Sequence, residues 1–231
     1  MLFRPAPRFE GLPAEAFEAF AIPDREKRRR AILAGFHPAL KLLGEDLLEF
    51  LTPLTRAPLH AHLPRLDWPA GYQPFCTWLA ISHEAHGYQS APQLNVGVHR
   101  DHLAVRLAWD TASAGFGRFE FLCRHGGVGR GLAETAREQG LEFRVYASAS
   151  WPEGSRRVFE SATDWAGSFD EVRRRGVWWE IGARYDLPEA EERIAGSRLV
   201  DEAARVFVAL LPHLDRVVGI SPDAKRGTGS K

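Results

Sequence analysis

The sequence predicts an α+β fold, an antiparallel β-sheet with helices packed on one face. Two observations lead there. Residues 94–99 and 102–110 alternate apolar and polar side chains with a period of two and are separated only by Arg100 and Asp101, the pattern of a β-hairpin with one face in a core. Residues 24–51 and 198–214 instead place apolar side chains every three or four positions, the stripe of an amphipathic helix.

A two-residue turn at Arg100-Asp101 sets the register of the hairpin. On the core side Val98 then faces Leu103, Val96 faces Val105 and Leu94 faces Leu107. On the other side His99 faces His102 and Asn95 faces Arg106. Residues 177–185 form a second clean strand, with Val177, Trp179, Ile181, Ala183 and Tyr185 on one face and Trp178, Glu180, Gly182 and Arg184 on the other. Its Glu180-Ile181-Gly182 echoes Asn95-Val96-Gly97, an echo that would fit two related α/β halves.

The remaining elements follow in order. Residues 9–24 read as a short docking helix with Pro13 in its first turn and Phe17 and Phe20 on one side. The next helix carries Ile32, Phe36, Leu40, Leu43, Leu47 and Leu51, and Gly35 and Pro38 are expected to kink or divide it. Residues 52–75 are rich in proline and read as an irregular connection with one edge strand near 59–63. Cys76 to Ser82 is a buried strand, and residues 83–92 are a loop. The glycine cluster from His125 to Gly131 reads as a flexible loop before a helix-like stretch. Residues 143–147 alternate as a strand, 148–155 turn, and 164–175 look helical with Gly176 as the stop. The last helix runs on Leu199, Ala203, Val206, Leu210 and Leu214, with Pro212 near its end. One domain over residues 1–221 and a disordered polar tail over 222–231 are expected.

Composition narrows the function classes. Thirty basic and thirty acidic side chains cancel, so no global field recruits nucleic acid or an anionic membrane. No apolar run approaches the roughly 20 residues that span a bilayer, and the N-terminus lacks a signal-peptide core. Two cysteines cannot frame a disulfide scaffold, and a reducing cytoplasm fits them best.

Several residue groups could carry chemistry. His60/His62, His83/His86 and His99/His102 are close imidazole pairs, and imidazole is the commonest metal ligand. The His83-Glu-Ala-His86 spacing is one residue short of the metalloprotease pattern, and spacing alone assigns no metal site. The glycine cluster lacks both the P-loop ending and the dinucleotide fingerprint. The basic runs Arg28 to Arg30 and Arg173 to Arg175 lie at helix positions and read first as solvated faces. No nucleophile elbow occurs, and Cys123 has only His125 near it in sequence. The most specific group is the polar sheet face: Asn95, His99, His102 and Arg106, joined by Glu180 and Arg184 if that strand enters the same sheet. Gly97, Ala104 and Gly182 keep its middle free of bulk, so it could floor a pocket for a polar or anionic ligand. The alternative is an antiparallel sheet with one face in water.

Further residues carry a family resemblance. Phe9-x-Gly11 with Phe17 and Phe20, the position of Pro38, Trp78, Gly87-Tyr88, Pro92 and Gly97 resemble the YktB-like family of bacterial proteins of unknown function. The resemblance continues at His102-Leu103, at Glu180-Ile181-Gly182 with Arg184, and at Ala209-Leu210-Leu211-Pro212. It implies a compact cytoplasmic α+β fold with an antiparallel sheet, and no established substrate, cofactor or catalytic residue. His102 falls on a matching position, whereas His83 and His86 stand where histidine is not required.

The leading expectation is a binding module in which Tyr88, Asn95, His99, His102, Arg106, Glu180 and Arg184 hold a small polar or anionic ligand, Tyr88 closing over it. The alternatives are a metal-assisted hydrolase or transferase built on the histidine pairs, which leaves enzyme activity open, and a nucleic-acid-binding domain, against which the neutral charge argues. No cofactor and no oligomeric state is implied.

Overall fold

Alternation of apolar side chains generates a seven-stranded sheet in the computed structural model, which describes residues 6–67, 74–113, 115–146, 157–159, 165–175, 178–188 and 191–218. The strands are β1 (His60–His62), β2 (Cys76–Ser82), β3 (Gln93–His99), β4 (His102–Asp110), β5 (Glu142–Tyr146), β6 (Arg157–Phe159) and β7 (Trp178–Asp186). They lie in the order β1-β2-β3-β4-β7-β5-β6, every neighbour antiparallel. The hairpin register is the expected one: Val98 opposite Leu103, Val96 opposite Val105, Leu94 opposite Leu107 and Asn95 opposite Arg106. The edge strand expected near 59–63 is β1, and the strand expected at Cys76 to Ser82 is β2.

Period two gives the sheet two unlike faces. The apolar face carries Leu79 and Ile81, Leu94 to Val98 in alternation, Leu103 to Trp109 in alternation, Trp179, Ile181 and Tyr185, and Phe143 and Val145, all buried. Helices α1 (Arg25–Leu51), α4 (Trp165–Arg175) and α6 (Arg198–Val218) meet the strands. In α1, Asp24 caps the start by accepting from the Lys27 N–H at 2.8 Å, and Ile32, Phe36, Leu40, Leu43, Leu47 and Leu51 are fully buried.

Of the two expected effects of Pro38, a kink or a division, the division does not occur: the helix is continuous from Arg25 to Leu51. Proline forfeits one backbone hydrogen bond, whereas the stripe is anchored on both sides of it by Phe36 and Leu40. Gly35 is there for proximity, because a Cβ would stand 2.8 Å from the Ala16 Cβ of the 3-10 helix Ala14–Ala21, where Phe20 stacks on Phe36. That docking element is thus 3-10 rather than α.

The glycine cluster is shorter as a loop than expected. Helix α2 (Phe116–His125) gives way at Gly126 and Gly127, the latter with φ +73°, and α3 (Val128–Gln139) begins at once. Gly129 and Gly131 lie inside α3 because Trp165 and His213 press on it there. Under this half, Trp109, Phe116, Phe119, Phe169 and Trp179 form an aromatic cluster with centroids 4.7 to 6.2 Å apart. The second half does not repeat the first: β2-β3-β4 is a meander, whereas β5 and not β6 neighbours β7. The turn expected at 148–155, the stop at Gly176, Val177 and the 222–231 tail lie outside the described residues.

Two histidines are held neutral by packing. His37 Nε2 is 3.1 Å from Thr77 Oγ1, and burial lowers its pKa below 6.5. His213 Nε2 is 3.0 Å from Thr135 Oγ1, and burial, then the Arg216 charge, lowers its pKa. The unfolded chain therefore binds more protons than the folded one as acid is added. Stability is fully present above the unfolded value near 6.5 and is lost as pH falls below it toward the folded values. The urea midpoint should fall between pH 7.5 and 5.5, and His37→Gln should flatten that slope; an unchanged slope removes His37 from the account.

Candidate functional site

The second face of the sheet collects polar side chains by the same parity. From β2 come Cys76, Trp78, Ala80 and Ser82; from β3, Gln93, Asn95, Gly97 and His99; from β4, His102, Ala104, Arg106 and Ala108. β7 adds Glu180, Gly182 and Arg184, and β5 adds Glu142 and Arg144. A face turned to water was the alternative expectation. The structure buries it instead: Asn95, His99, His102, Arg106 and Glu180 are only 2 to 7% exposed.

A buried charge needs a partner, and Arg106 has one on each side. Its Nη1 lies 2.9 Å from Glu180 Oε1, and its Nε donates to Asn95 Oδ1 at 3.2 Å. Asn95 Nδ2 in turn donates to Gln93 Oε1 at 3.2 Å. The guanidinium lies over Gly97, where a Cβ would stand 2.9 Å from Nη2. Across β4, a Cβ on Gly182 would run into the Val105 carbonyl oxygen and stand 2.6 Å from the Arg106 Cα. The echo between β3 and β7 therefore has a local cause: both strands flank β4, and both glycines make room for Arg106.

Beyond Gly97 and Ala104, paired in register, lie the two imidazoles. His99 and His102 stack with centroids 4.1 Å apart and planes 9° apart. His102 Nδ1 is 2.6 Å from Asp101 Oδ1 in the hairpin turn, and Arg184 Nη2 approaches Asp101 Oδ2 at 3.8 Å while its Nε pairs with Asp186. Asp101 thereby favours the His102 tautomer with hydrogen on Nδ1.

Five of the seven expected site residues, Asn95, His99, His102, Arg106 and Glu180, thus lie on adjoining positions, with Arg184 joined through Asp101. Tyr88 stands further out, stacked on His62 at 4.6 Å, its phenol pKa raised by burial. Residue reading missed Trp78, Gln93, Arg144 and Asp101. Trp78 and Gln93 were legible by parity with Ala80 and Asn95. Arg144, fully buried and paired with Glu142, required knowing that β5 joins β7.

The other groups have local partners. His62 Nε2 meets the Glu84 carbonyl at 2.8 Å, and His83 Nδ1 meets the Pro58 carbonyl at 3.0 Å. Among the described residues no three His, Cys, Asp or Glu side chains cluster to hold a metal. Arg29 pairs with Asp67, and Arg173 with Glu120. Cys76, beside His99 in register, has its thiol pKa pushed up to about 12 by burial, against the Arg106 charge, and so stays protonated at neutral pH. The described helices are not long and apolar enough to cross a membrane.

Comparison with known proteins finds relatives. Residues 13–114 match the family model described as a domain of unknown function (DUF1054). A UPF0637 protein of Listeria welshimeri is 31% identical over 101 residues, 44% of this chain and 50% of that protein. A UPF0637 protein of Oceanobacillus iheyensis is 34% identical over 98 residues, 42% of this chain and 48% of that protein. Over residues 13–114 the chain is thus similar to bacterial proteins of unknown function, and it spans about half the length of the curated relatives it matches. The family model ends at residue 114, so β3 and β4 fall inside it and β7, with Glu180 and Arg184, lies beyond it.

Two measurements test the geometry around Arg106. Gly182→Ala should destabilise the fold by about 2 kcal/mol, since the obstructing atoms are backbone. Glu180→Ala should cost about 3–5 kcal/mol by leaving a buried guanidinium unpaired, while Arg106→Met with Glu180→Leu should restore most of it. Urea unfolding reads both; a double variant no better than Glu180→Ala removes the ion pair as the cause.

Proposed function

We propose that the Arg106-centred face binds a small polar or anionic ligand, by hydrogen bonding and charge and without covalent catalysis. The observation that carries this reading is the buried Arg106–Glu180 pair on the same face as the stacked His99 and His102. A buried ion pair is replaceable by apolar residues at little or no net loss of stability, so stability does not account for it. A guanidinium, two imidazoles and an indole gather on this one face, which is how polar groups converge in ligand sites.

The roles divide by exposure. Arg106 is oriented by Glu180 and Asn95 and offers a fixed donor edge. Arg184, about one-fifth exposed in its side chain, is the more adaptable cation, and His102, oriented by Asp101, offers a donor or an acceptor according to protonation. The protonated Cys76 thiol supports a site without a thiolate nucleophile. Two buried, unbridged cysteines support a reducing, cytoplasmic setting.

Thermal-shift screening against carboxylates, phosphate esters and nucleotides tests this. A stabilising compound is expected, with affinity reduced at least about tenfold by Arg184→Ala or His102→Ala while the variants unfold within a few degrees of the parent. A hit that binds both variants with parental affinity places the ligand elsewhere and overturns the assignment.

A further inference from the structure

At the same hairpin tip, beside Leu103 of the apolar face, lies an open cavity of about 700 Å³. Leu12, Phe17, Leu103, Leu187 and Ile194 line it, together with Arg100 and Asp101 of the hairpin turn. Its size is within the range of small-molecule sites, and its wall is largely apolar. It is walled by the N-terminal segment, the hairpin tip, and two stretches beyond β7, residues 187–188 and 194–196, with the Leu187 N–H donating to the Asp101 carbonyl at 2.8 Å. Gly11, at φ +133°, and Gly196, at φ +57°, close the N-terminal segment onto residues 194–196, a Cβ on Gly11 standing 3.1 Å from the Gly196 Cα.

The charges at the cavity are unequal. Asp101 is engaged by His102 Nδ1 and by Arg184. Arg100 makes no ion pair among the described residues, and neither does Arg28, which donates only to the carbonyls of Ile22 at 2.6 Å and Pro74 at 3.3 Å. The two cations lie close enough that Arg100, after burial, lowers the pKa of Arg28. Arg100 is thus a guanidinium without an ion-pair partner among the described residues on the wall of a largely apolar cavity, where an anion can meet it.

We infer that this cavity binds a small amphipathic anion, a molecule with an apolar body and a terminal carboxylate, its body against Leu12, Phe17 and Leu103 and its carboxylate at Arg100. The inference does not rest on the polar face, since no residue assigned to the ligand there lines the cavity. Arg100 is exposed in a turn, so its fork can reach a carboxylate without repacking the core.

Isothermal titration with decanoate, and with decanol as the uncharged counterpart, tests the site in the full chain. Decanoate should bind saturably below millimolar concentration and more tightly than decanol. Arg100→Glu should weaken decanoate at least about fivefold and leave decanol unchanged. Ala195→Trp, at an exposed position on the cavity wall, should abolish both by filling the space. No saturable decanoate binding, or parental binding in a folded Ala195→Trp variant, overturns the inference; equal loss of both ligands in Arg100→Glu overturns the role of the carboxylate.

Discussion

The guanidinium of Arg106 lies out of water on the middle strand of a seven-stranded sheet, and much of the molecule answers to that one buried charge. β7 must supply Glu180, β3 must supply Asn95, and both must carry glycine where they pass it. These requirements tie together the registers on the two sides of β4. A one-residue slip of β7 would carry Glu180 to the apolar face and leave two buried charges unpaired. The pair therefore specifies how the strands align more than it adds to net stability, which comes from the apolar face.

That apolar face is conventional in its physics. α1, α4 and α6 lay continuous stripes across it, and the aromatic cluster around Trp179 closes the second half. It provides the rigid floor on which the polar side chains stand, with the His99–His102 stack and the Asp101 contact as the ordered edge nearest the hairpin turn. The turn itself has two roles: Asp101 orients an imidazole on the polar face, and Arg100 lines a cavity beside Leu103 of the apolar one.

Where residue reading failed, packing partners were the missing information. Gly35, Gly129 and Gly131 look like breaks in sequence, yet each marks a place where another element presses on a helix: Ala16, Trp165 and His213 respectively. Pro38 costs one hydrogen bond, which a helix already fastened along its length can tolerate. The polar sheet face could equally have met water, because alternation records only that its two faces differ and not what covers the polar one.

By itself the sequence determined the hairpin, its register and the parity of its two faces, because a period of two and a two-residue turn are local properties of the chain. It also determined the helical stripes and the adjacency of Asn95, His99, His102 and Arg106. Only the tertiary structure decided that β7 lies against β4, that Glu180 neutralises Arg106, and that the polar face is buried. Those facts depend on contacts between residues 74 positions apart, and a pairing across that distance is set by the whole core and not by either strand.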